Sequence, residues 1–341
     1  MRFFMAAPRR KRCPHCGFLE TIKWGRQGGH QRYKCKNCDT CFTSRRKDVS
    51  SANRFIWFKW WILRKQTVAE ISQMSGHSSR QLSRWFDSYL RSYPEWEIKK
   101  SEKDINLLID GTWFPNNLCL VLYRDETAKT TLFYRITDDE RACEIVEDLN
   151  PIRAIGGKIK SITTDGSPAI IRAVEQACPD VVRQRCVAHI QRECLNWITR
   201  FPHSDAAKEL RRLAGRICTV RSATDRAEWV AAFDAWCIKH KEYVCRKSGP
   251  FVSGVEWKEH RMVCKAYTQL RRALPNMFNF VDHAGMPRTT SALEAFFGQL
   301  KENISLHRGL SRRHSEEYVR WYLHFRHQMH LGNSQLTKYS V

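Results

Sequence analysis

The sequence predicts a multidomain protein, in which two small N-terminal modules precede an α/β core that is interrupted by an all-helical insertion. Three observations predict this organisation. Two closely spaced cysteine pairs lie near the start of the chain, two short helices separated by a glycine follow them, and beyond residue 104 apolar strands alternate with amphipathic helices. The predicted domains are a zinc ribbon at 1–48, a helix-turn-helix at 49–100, the first part of the core at 101–190, the helical insertion at 191–285 and the C-terminal helices of the core at 286–341.

Composition excludes several classes of protein. The chain has 341 residues, 42% of them hydrophobic and 27% charged, which is ordinary for globular domains and rules out wholesale disorder. It has no apolar run long enough to span a membrane, and its apolar start is too short for a secretory signal. We therefore expect a cytoplasmic protein, whose 14 cysteines are metal ligands or buried apolar residues rather than disulfides.

The positive charge is concentrated near the N-terminus. The formal net charge is +23, of which residues 1–50 contribute +10 and residues 51–100 contribute +5. A basic segment of this kind is typical of proteins that bind polyanions, although it can also be a merely solvated surface. Together with the motifs below, it predicts nucleic-acid binding.

The first module contains two CxxC knuckles separated by 18 residues. Their cysteines are Cys13, Cys16, Cys35 and Cys38. Four thiolates at this spacing can hold one tetrahedral Zn²⁺, since each knuckle turns tightly enough to put both sulfurs on the ion. Residues 21–25 and 31–34 are predicted strands around a two-glycine turn, and metal binding would supply the folding energy of so small a hairpin. His15 and Cys41 remain spare candidates for this site.

The second module has helix-turn-helix spacing. Thr67 is placed to cap one helix, Gly76 permits a tight turn, and Ser78 or Ser79 caps a second helix. The predicted apolar sides are Val68, Ile71 and Met74 on the first helix and Leu82, Trp85 and Phe86 on the second. The side chains predicted to face a DNA groove are Arg80, Gln81 and Arg84. Such helix pairs also occur in ordinary cores, so the DNA-binding interpretation depends on the ribbon and the charge as well.

The core begins with a buried strand that ends in a carboxylate. The predicted elements are strands at 105–112, 118–123 and 131–136, a helix at 140–149, a strand at 159–166, a helix at 168–177 and a strand at 181–185. This order fits a ribonuclease-H-like fold. Asp110 and Asp165, each followed by glycine, can then lie side by side at neighbouring strand ends, where their repulsion calls for a cation such as Mg²⁺ or Mn²⁺. For either aspartate alone, a turn is the simpler interpretation.

Two further patterns follow the last predicted strand. Cys186 and His189 have the spacing of half a zinc site, but no second half lies nearby in the sequence, so we interpret them as a structural pair beside the carboxylates. After the helical segment, Thr290 or Ser291 is placed to cap a helix with Glu294 in its first turn. Glu294 shares one face of that helix with Lys301. A single acid there is usually only compensation for the helix dipole.

Together these residues resemble the Mutator-like superfamily of DDE transposases, including members from bacterial insertion sequences. The matching pieces are Asp110-Gly111, Thr164-Asp165-Gly166, Gln184-Arg185-Cys186-Val187-Ala188-His189 and Glu294 opening the last helix, with a helical insertion before the final acid. The resemblance covers about residues 105–330, and the zinc ribbon looks like that of a subset of these transposases. One departure is Glu193 after Arg192, where the family often has asparagine.

The resemblance implies two-metal phosphoryl transfer on double-stranded DNA. Asp110 would bridge two Mg²⁺ or Mn²⁺ ions, and Asp165 and Glu294 would each complete one site. Lys301 and Arg308 would hold the phosphate backbone, while the N-terminal modules would recognise terminal inverted repeats. Joining of two ends implies a homodimer or larger assembly.

Three questions stay open at the level of sequence. Glu302, Glu316 and Glu317 compete with Glu294 for the role of third acid. The chain could instead be a non-catalytic DNA-binding regulator derived from a transposase, or a ribonuclease-H-like nuclease that does not transpose. A divalent-metal-dependent strand-joining assay separates these functions.

Overall fold

The computed structural model describes residues 11–16, 18–43, 51–98, 103–246 and 254–336. The expected domain boundaries at residues 48/49 and 100/101 lie outside these ranges. Contacts divide the chain into two units, one of residues 1–93 with 306–308 and the other of the remainder.

The first unit begins with a small antiparallel sheet. Its strands are β1 (Thr21–Gln27), β2 (His30–Cys35) and β3 (Cys41–Thr43), in the order β1-β2-β3. Gly28 and Gly29 connect the first two strands with positive φ angles of 55° and 76°, as a tight two-residue hairpin turn requires. The hairpin was predicted from the sequence. The third strand was not, because three residues are too few to show an alternating pattern.

Three helices complete this unit, namely α1 (Ser51–Leu63), α2 (Val68–Ser75) and α3 (Ser79–Leu90). Thr67 and Glu70 form a reciprocal capping box at the start of α2, and Gly76 ends that helix with φ of 71°. Ser78 caps α3 through the amide of Gln81. Ile71, Leu82 and Phe86 are buried as predicted. The prediction for Met74 was wrong: it is 50% exposed, because the eight-residue α2 turns only Ile71 fully into the core.

The second unit contains a five-stranded mixed sheet. Its strands, in chain order, are β4 (Ile105–Phe114), β5 (Leu118–Asp125), β6 (Thr130–Thr137), β7 (Ile159–Thr164) and β8 (Val182–Arg185). The sheet order is β6-β5-β4-β7-β8, with antiparallel pairing through the first three and parallel pairing of β4 with β7 and of β7 with β8. Helices α4 (Ala142–Arg153) and α5 (Pro168–Ala177) pack on its apolar side chains. The chain is therefore of mixed α/β class.

Helices follow the last strand. They are α6 (Val187–Trp197), α7 (Asp205–Gly215), α8 (Ala223–Lys239), α9 (Lys241–Cys245) and α10 (Gly254–Ala273), with a separate apolar core that includes the buried Trp229, Phe233 and Trp236. Two more helices, α11 (Ser291–Ser305) and α12 (Arg312–Leu336), come after them. None of the helices in the described ranges combines the length and apolarity that a membrane crossing needs.

The segment between α10 and α11 returns to the parallel end of the sheet. Gln184 of β8 donates from Nε2 to the carbonyl of Met277 at 2.7 Å, and Asn279 donates to the carbonyl of Arg183 at 2.7 Å. Thr163 of β7 donates to the carbonyl of Pro287 at 2.6 Å. These bonds bring the start of α11 to the ends of β7 and β8, although about a hundred residues separate them in the chain.

Candidate active site

The N-terminal cysteines form a compact cluster. The Sγ atoms of Cys13, Cys16, Cys35 and Cys38 all lie within 4.8 Å of one another, and Cys13–Cys38 and Cys16–Cys35 are 3.7 and 3.5 Å apart. A tetrahedron with Zn–S bonds of about 2.3 Å has sulfur–sulfur edges of about 3.8 Å, so the four residues fit a zinc ion. Neither His15 nor Cys41, the two spare candidates, belongs to the cluster.

The amides of the knuckles turn toward the sulfurs. His15 N lies 3.4 Å from Cys13 Sγ, and Asn37 N lies 3.4 Å from Cys35 Sγ. Donation from backbone amides stabilises negative charge on sulfur, because a charged acceptor forms the stronger hydrogen bond. At Cys35, burial outweighs the donation from the Asn37 amide and raises the pKa of the thiol to about 11, whereas a metal ion binds the thiolate.

Two aspartates lie together at the parallel end of the second sheet. Ile109 of β4 pairs with Thr164 of β7, so Asp110 and Asp165 each follow a member of this last parallel pair. The prediction that the first strand ends at its carboxylate was wrong: Asp110 lies inside β4, which continues to Phe114 because it still pairs with β5, whereas Asp165 directly follows β7. Asp110 is only 3% exposed. Burial and the neighbouring charge of Asp165 raise the pKa of Asp110 to about 7. The sequence predicted this juxtaposition, and a carboxylate so placed favours a bound cation.

Thr290 connects the start of α11 to this edge. It is fully buried, and its side chain acts to lower the pKa of Asp110. Its Oγ1 also lies 3.3 Å from His189 Nδ1, and its amide donates to Cys186 Sγ at 3.3 Å. The Thr290 carbonyl accepts from the amide of Glu294, which begins the helix. The sequence predicted only a capping role for Thr290, since nothing in the local pattern reveals its distant partners.

Glu294 meets the Cys-x-x-His pair. The ligand atoms of Cys186, His189 and Glu294 all lie within 4.8 Å of one another. Burial acts to lower the pKa of His189, but hydrogen bonding to Cys186 and the charges of Cys186, Asp110 and Glu294 outweigh it and raise that pKa to about 9. The sequence offered no second half for a site at Cys186 and His189, and the fold supplies Glu294 as a third member.

The Glu294 carboxylate is held by an arginine. Arg192 donates from both terminal nitrogens to the two oxygens of Glu294, at 2.8 and 2.9 Å, and this bond lowers the pKa of Glu294. A cation binding at Glu294 has to compete with this bidentate pair. Arg192 was not predicted as a site residue, because its partner lies 102 positions along the chain.

A fourth acid borders the two aspartates. Ser167 donates to Glu140 Oε2 at 2.7 Å, and burial raises the pKa of Glu140, with a further contribution from the charge of Asp165. A Cβ on Gly111 would lie 2.0 Å from Glu140 Oε1, so the glycine after Asp110 makes room for this carboxylate. The sequence placed Glu140 at the start of a helix and gave no signal of its position.

The arrangement is looser than a closed three-carboxylate site. Among the described residues, the groups of three or more ligand-bearing side chains within 4.8 Å are the cysteine cluster and Cys186–His189–Glu294; Asp110 and Asp165 belong to neither. Glu294 nevertheless contributes to the raised pKa of Asp110. Two of its competitors, Glu316 and Glu317, pair instead with arginines of their own helix, α12.

The residues predicted to contact DNA lie on the surface. Arg80, Gln81 and Arg84 are exposed along α3. Lys301 and Arg308 are also exposed, and the Lys301 ammonium lies 5.8 Å from the centre of the Phe114 ring. Exposure permits a role in binding DNA.

Comparison with known proteins assigns no family to the chain. No family model matches the chain, and no curated protein matches it. Among solved structures, the chain is similar to one chain of the cryo-EM structure of the simian T-cell lymphotropic virus intasome in complex with PP2A regulatory subunit B56 gamma, at 13% identity, over 60% of this chain and 74% of that chain. The TM-score of 0.20 is too low to carry an argument.

Proposed function

We propose that this protein is a DDE transposase, which binds double-stranded DNA at the ends of its element and catalyses divalent-metal-dependent cleavage and strand transfer. The observation that carries the proposal is that Asp110 and Asp165 each follow the last paired residues of two adjacent parallel strands, with the charges of Asp165 and Glu294 both acting on Asp110. Acidic oxygens meeting at a strand edge are the ligands of ions that catalyse phosphoryl transfer.

The sheet supports a ribonuclease-H-like core. Numbered within the core, its strand order is 3-2-1-4-5, with three antiparallel strands followed by two parallel ones. In this order the first and fourth strands are neighbours, which is why residues 55 positions apart meet. The helices from α6 to α10 interrupt the core between β8 and α11, as the proposed family requires.

Two kinds of metal belong to the proposal. Zn²⁺ would be held by the four cysteines of the ribbon, where it stabilises a fold with little apolar core. Mg²⁺ or Mn²⁺ would be held by Asp110, Asp165 and Glu294, and would supply Lewis-acid stabilisation of the charge that develops on phosphate oxygens. Of the protein groups, Thr290 favours the ionised form of Asp110, and Arg192 favours the ionised form of Glu294.

The partners follow from the same proposal. The net charge of the first hundred residues attracts the DNA backbone, and the exposed side chains of α3 can enter a groove. We further propose that the protein works as a homodimer or larger assembly on DNA in the cytoplasm, since strand transfer requires two ends to be held together.

The test is a cleavage and strand-joining assay with DNA from both sides of the gene, with and without Mg²⁺ or Mn²⁺. The proposal expects metal-dependent cleavage followed by joining. Cleavage without joining would indicate a nuclease, and specific binding without cleavage would indicate a regulator. Either outcome contradicts transposition.

Replacement of the third acid is an informative variant. Glu294→Gln keeps the shape of the side chain but removes its charge, so cleavage and joining should be lost while DNA binding remains. The matched control is Glu302→Gln, on the same helix α11. If Glu294→Gln joins DNA normally and activity is lost instead in Glu302→Gln or Glu317→Gln, the third ligand lies elsewhere on the C-terminal helices.

Sequence recognition should reside in the N-terminal modules. Arg84→Ala should reduce discrimination between end DNA and random DNA if Arg84 contacts bases, or weaken binding to both equally if it contacts phosphate. Affinity of the whole protein should fall steeply with salt, with a log–log slope of about −0.9 for each neutralised phosphate. Competition binding at several salt concentrations measures both effects. Equal recognition of the ends by residues 101–341 alone would contradict the module assignment.

A further inference from the structure

An arginine beside the carboxylates is buried without a partner. Arg185 ends β8 and is only 8% exposed, and its Nε is buried with no hydrogen-bond partner. Among the described residues, its guanidinium takes part in no hydrogen bond or ion pair. Burying an unpaired cation is costly, so a protein keeps one where a ligand will pair with it or where a neighbouring charge offsets it.

The position of Arg185 connects it to the proposed active site. A Cβ on Gly166 would lie 1.9 Å from Arg185 Nη2, so the guanidinium packs on the backbone of the residue that follows Asp165. Gly166 has φ of 103°, a conformation that other residues rarely adopt. Burial lowers the pKa of Arg185, and the charge of Asp165 opposes this effect. The cation therefore lies at the same sheet edge as the catalytic acids without bonding to them.

A cavity of about 120 Å³ adjoins this side chain. It is bordered by three arginines, Arg183, Arg185 and Arg272, and by one acid, Glu175, together with Thr164 and Asn276. This basic lining disfavours a cation and favours an anion.

The acids near Arg185 have other hydrogen-bond or ion-pair partners. Glu175 forms an ion pair with Arg183, Glu193 accepts from Gln269 at 2.6 Å, and Asp165 accepts from the Ser167 amide at 2.9 Å. Within the described part of the chain, Arg185 is thus a charged group beside the carboxylates whose donors are unused. A planar guanidinium suits phosphate, because its parallel N–H groups match two phosphate oxygens.

We infer that Arg185 binds a phosphodiester of the DNA strand that lies across the carboxylates, next to the phosphate that reacts. The inference rests on the proposed function and adds a phosphate-binding residue to it. Inorganic phosphate shares the chemistry of the ligand, so the experiment has to separate the two sources.

The experiment compares the full-length protein with Arg185→Gln, Arg185→Lys and Arg172→Gln. Arg172 is an exposed arginine on α5, which makes it the matched control for a lost surface charge. Binding of a short labelled duplex is measured against salt in Ca²⁺. We expect the slope of log affinity against log salt concentration to be smaller by about 0.9 in Arg185→Gln, which corresponds to one lost phosphate contact. Its affinity for the duplex should fall roughly tenfold. Arg185→Lys should restore the slope, and Arg172→Gln should match the wild type.

Stability separates the inference from a structural role. In DNA-free buffer, Arg185→Gln should unfold at the same denaturant concentration as the wild type or a higher one, because it removes an unpaired buried charge. If Arg185→Gln is instead less stable than the wild type, and the same substitution costs less stability in an Asp165→Asn background, Arg185 is a structural partner of Asp165. That result would overturn the inference. Free phosphate is the ligand if two results are found together. Inorganic phosphate would have to stabilise the wild type, but not Arg185→Gln, more than chloride does at equal ionic strength. The two proteins would also have to show the same salt dependence of DNA binding.

The outcomes also distinguish this inference from the proposed function. Normal affinity, slope and cleavage in Arg185→Gln, with cleavage abolished in Asp110→Asn, would overturn the phosphate contact and leave the transposase proposal standing. Cleavage that survives in Asp110→Asn, or a wild type that does not bind DNA, would overturn both.

Discussion

Asp110→Asn should abolish cleavage and joining of DNA and leave DNA binding nearly intact. The amide keeps the volume of the side chain but removes the charge that holds a divalent ion. If Asp110 holds the catalytic ions, the loss of its charge should slow the reaction at least about a hundredfold, which corresponds to about 3 kcal/mol of lost charge stabilisation. Binding survives because most of the attraction comes from the basic N-terminal hundred residues.

Single-turnover cleavage and binding assays measure these two effects. Asp165→Asn should behave similarly, and Asp180→Asn, an exposed aspartate of the same unit, is the control. Normal joining by either Asp110→Asn or Asp165→Asn would rule out the proposed mechanism.

The same variant should change how stability depends on pH. A carboxyl whose pKa is raised by folding, here to about 7, binds its proton more tightly in the native state. Without divalent metal, the wild type therefore loses stability between about pH 4 and 7, and the loss is complete above pH 7. Asp110→Asn has no carboxyl to ionise at this position and so does not lose this stability. It should be more stable than the wild type above pH 7, by up to about 4 kcal/mol, and equally stable near pH 3.

Hydrogen exchange of β4 and β7 at several pH values measures this stability locally. Added Mg²⁺ should stabilise the wild type more than the variant, since the ion favours the ionised carboxylate. A variant less stable than the wild type at pH 8 without metal would contradict the burial of an uncompensated charge at Asp110.

Cys35→Ser should unfold the ribbon and release its zinc, while the second unit stays folded. Structural zinc contributes on the order of 10–16 kcal/mol of apparent binding energy in small modules, and the ribbon sheet has little apolar core to replace it. Cys35 is fully buried within the cluster, so the loss of its thiolate removes a ligand that no neighbour can supply. The second unit has cores of its own.

Zinc content by mass spectrometry and circular dichroism of the purified protein test this prediction. Cys41→Ser is the matched control, because Cys41 is exposed and lies outside the cluster. Stoichiometric zinc in Cys35→Ser, with unchanged DNA binding, would contradict the zinc-ribbon interpretation.

The elements of this protein were largely predictable because their signals are local. Thr67 and Gly76 mark the ends of α2 through capping chemistry that involves only a few neighbouring residues. The apolar runs before Asp110 and Asp165 marked two strands, and the alternation of strands with helices predicted the mixed sheet, although β4 continues past Asp110 to Phe114. The error at Met74 arose because periodicity gives the direction of a side chain but not how far the opposing core extends.

The surroundings of the carboxylates were not predictable in the same way. Thr290, Arg192 and Glu140 have their partners, His189, Glu294 and Ser167, in distant parts of the chain. None of the three has a spacing that distinguishes it from a cap, a surface arginine or a helix start. Their partners are set by how the segment before α11 docks on β7 and β8.

By itself the sequence determined which residues could share a site: four cysteines that can hold one metal ion, and the aspartates that follow two apolar runs. Only the tertiary structure decided which side chains surround them. It places Glu294 beside Cys186 and His189, and it leaves Arg185 buried near Asp165 without a hydrogen-bond partner. The physical reason is the distance along the chain over which each kind of interaction acts. Capping, turn and knuckle geometry act over a few bonds and are written in local sequence, whereas charge pairing and burial depend on which distant segments pack together.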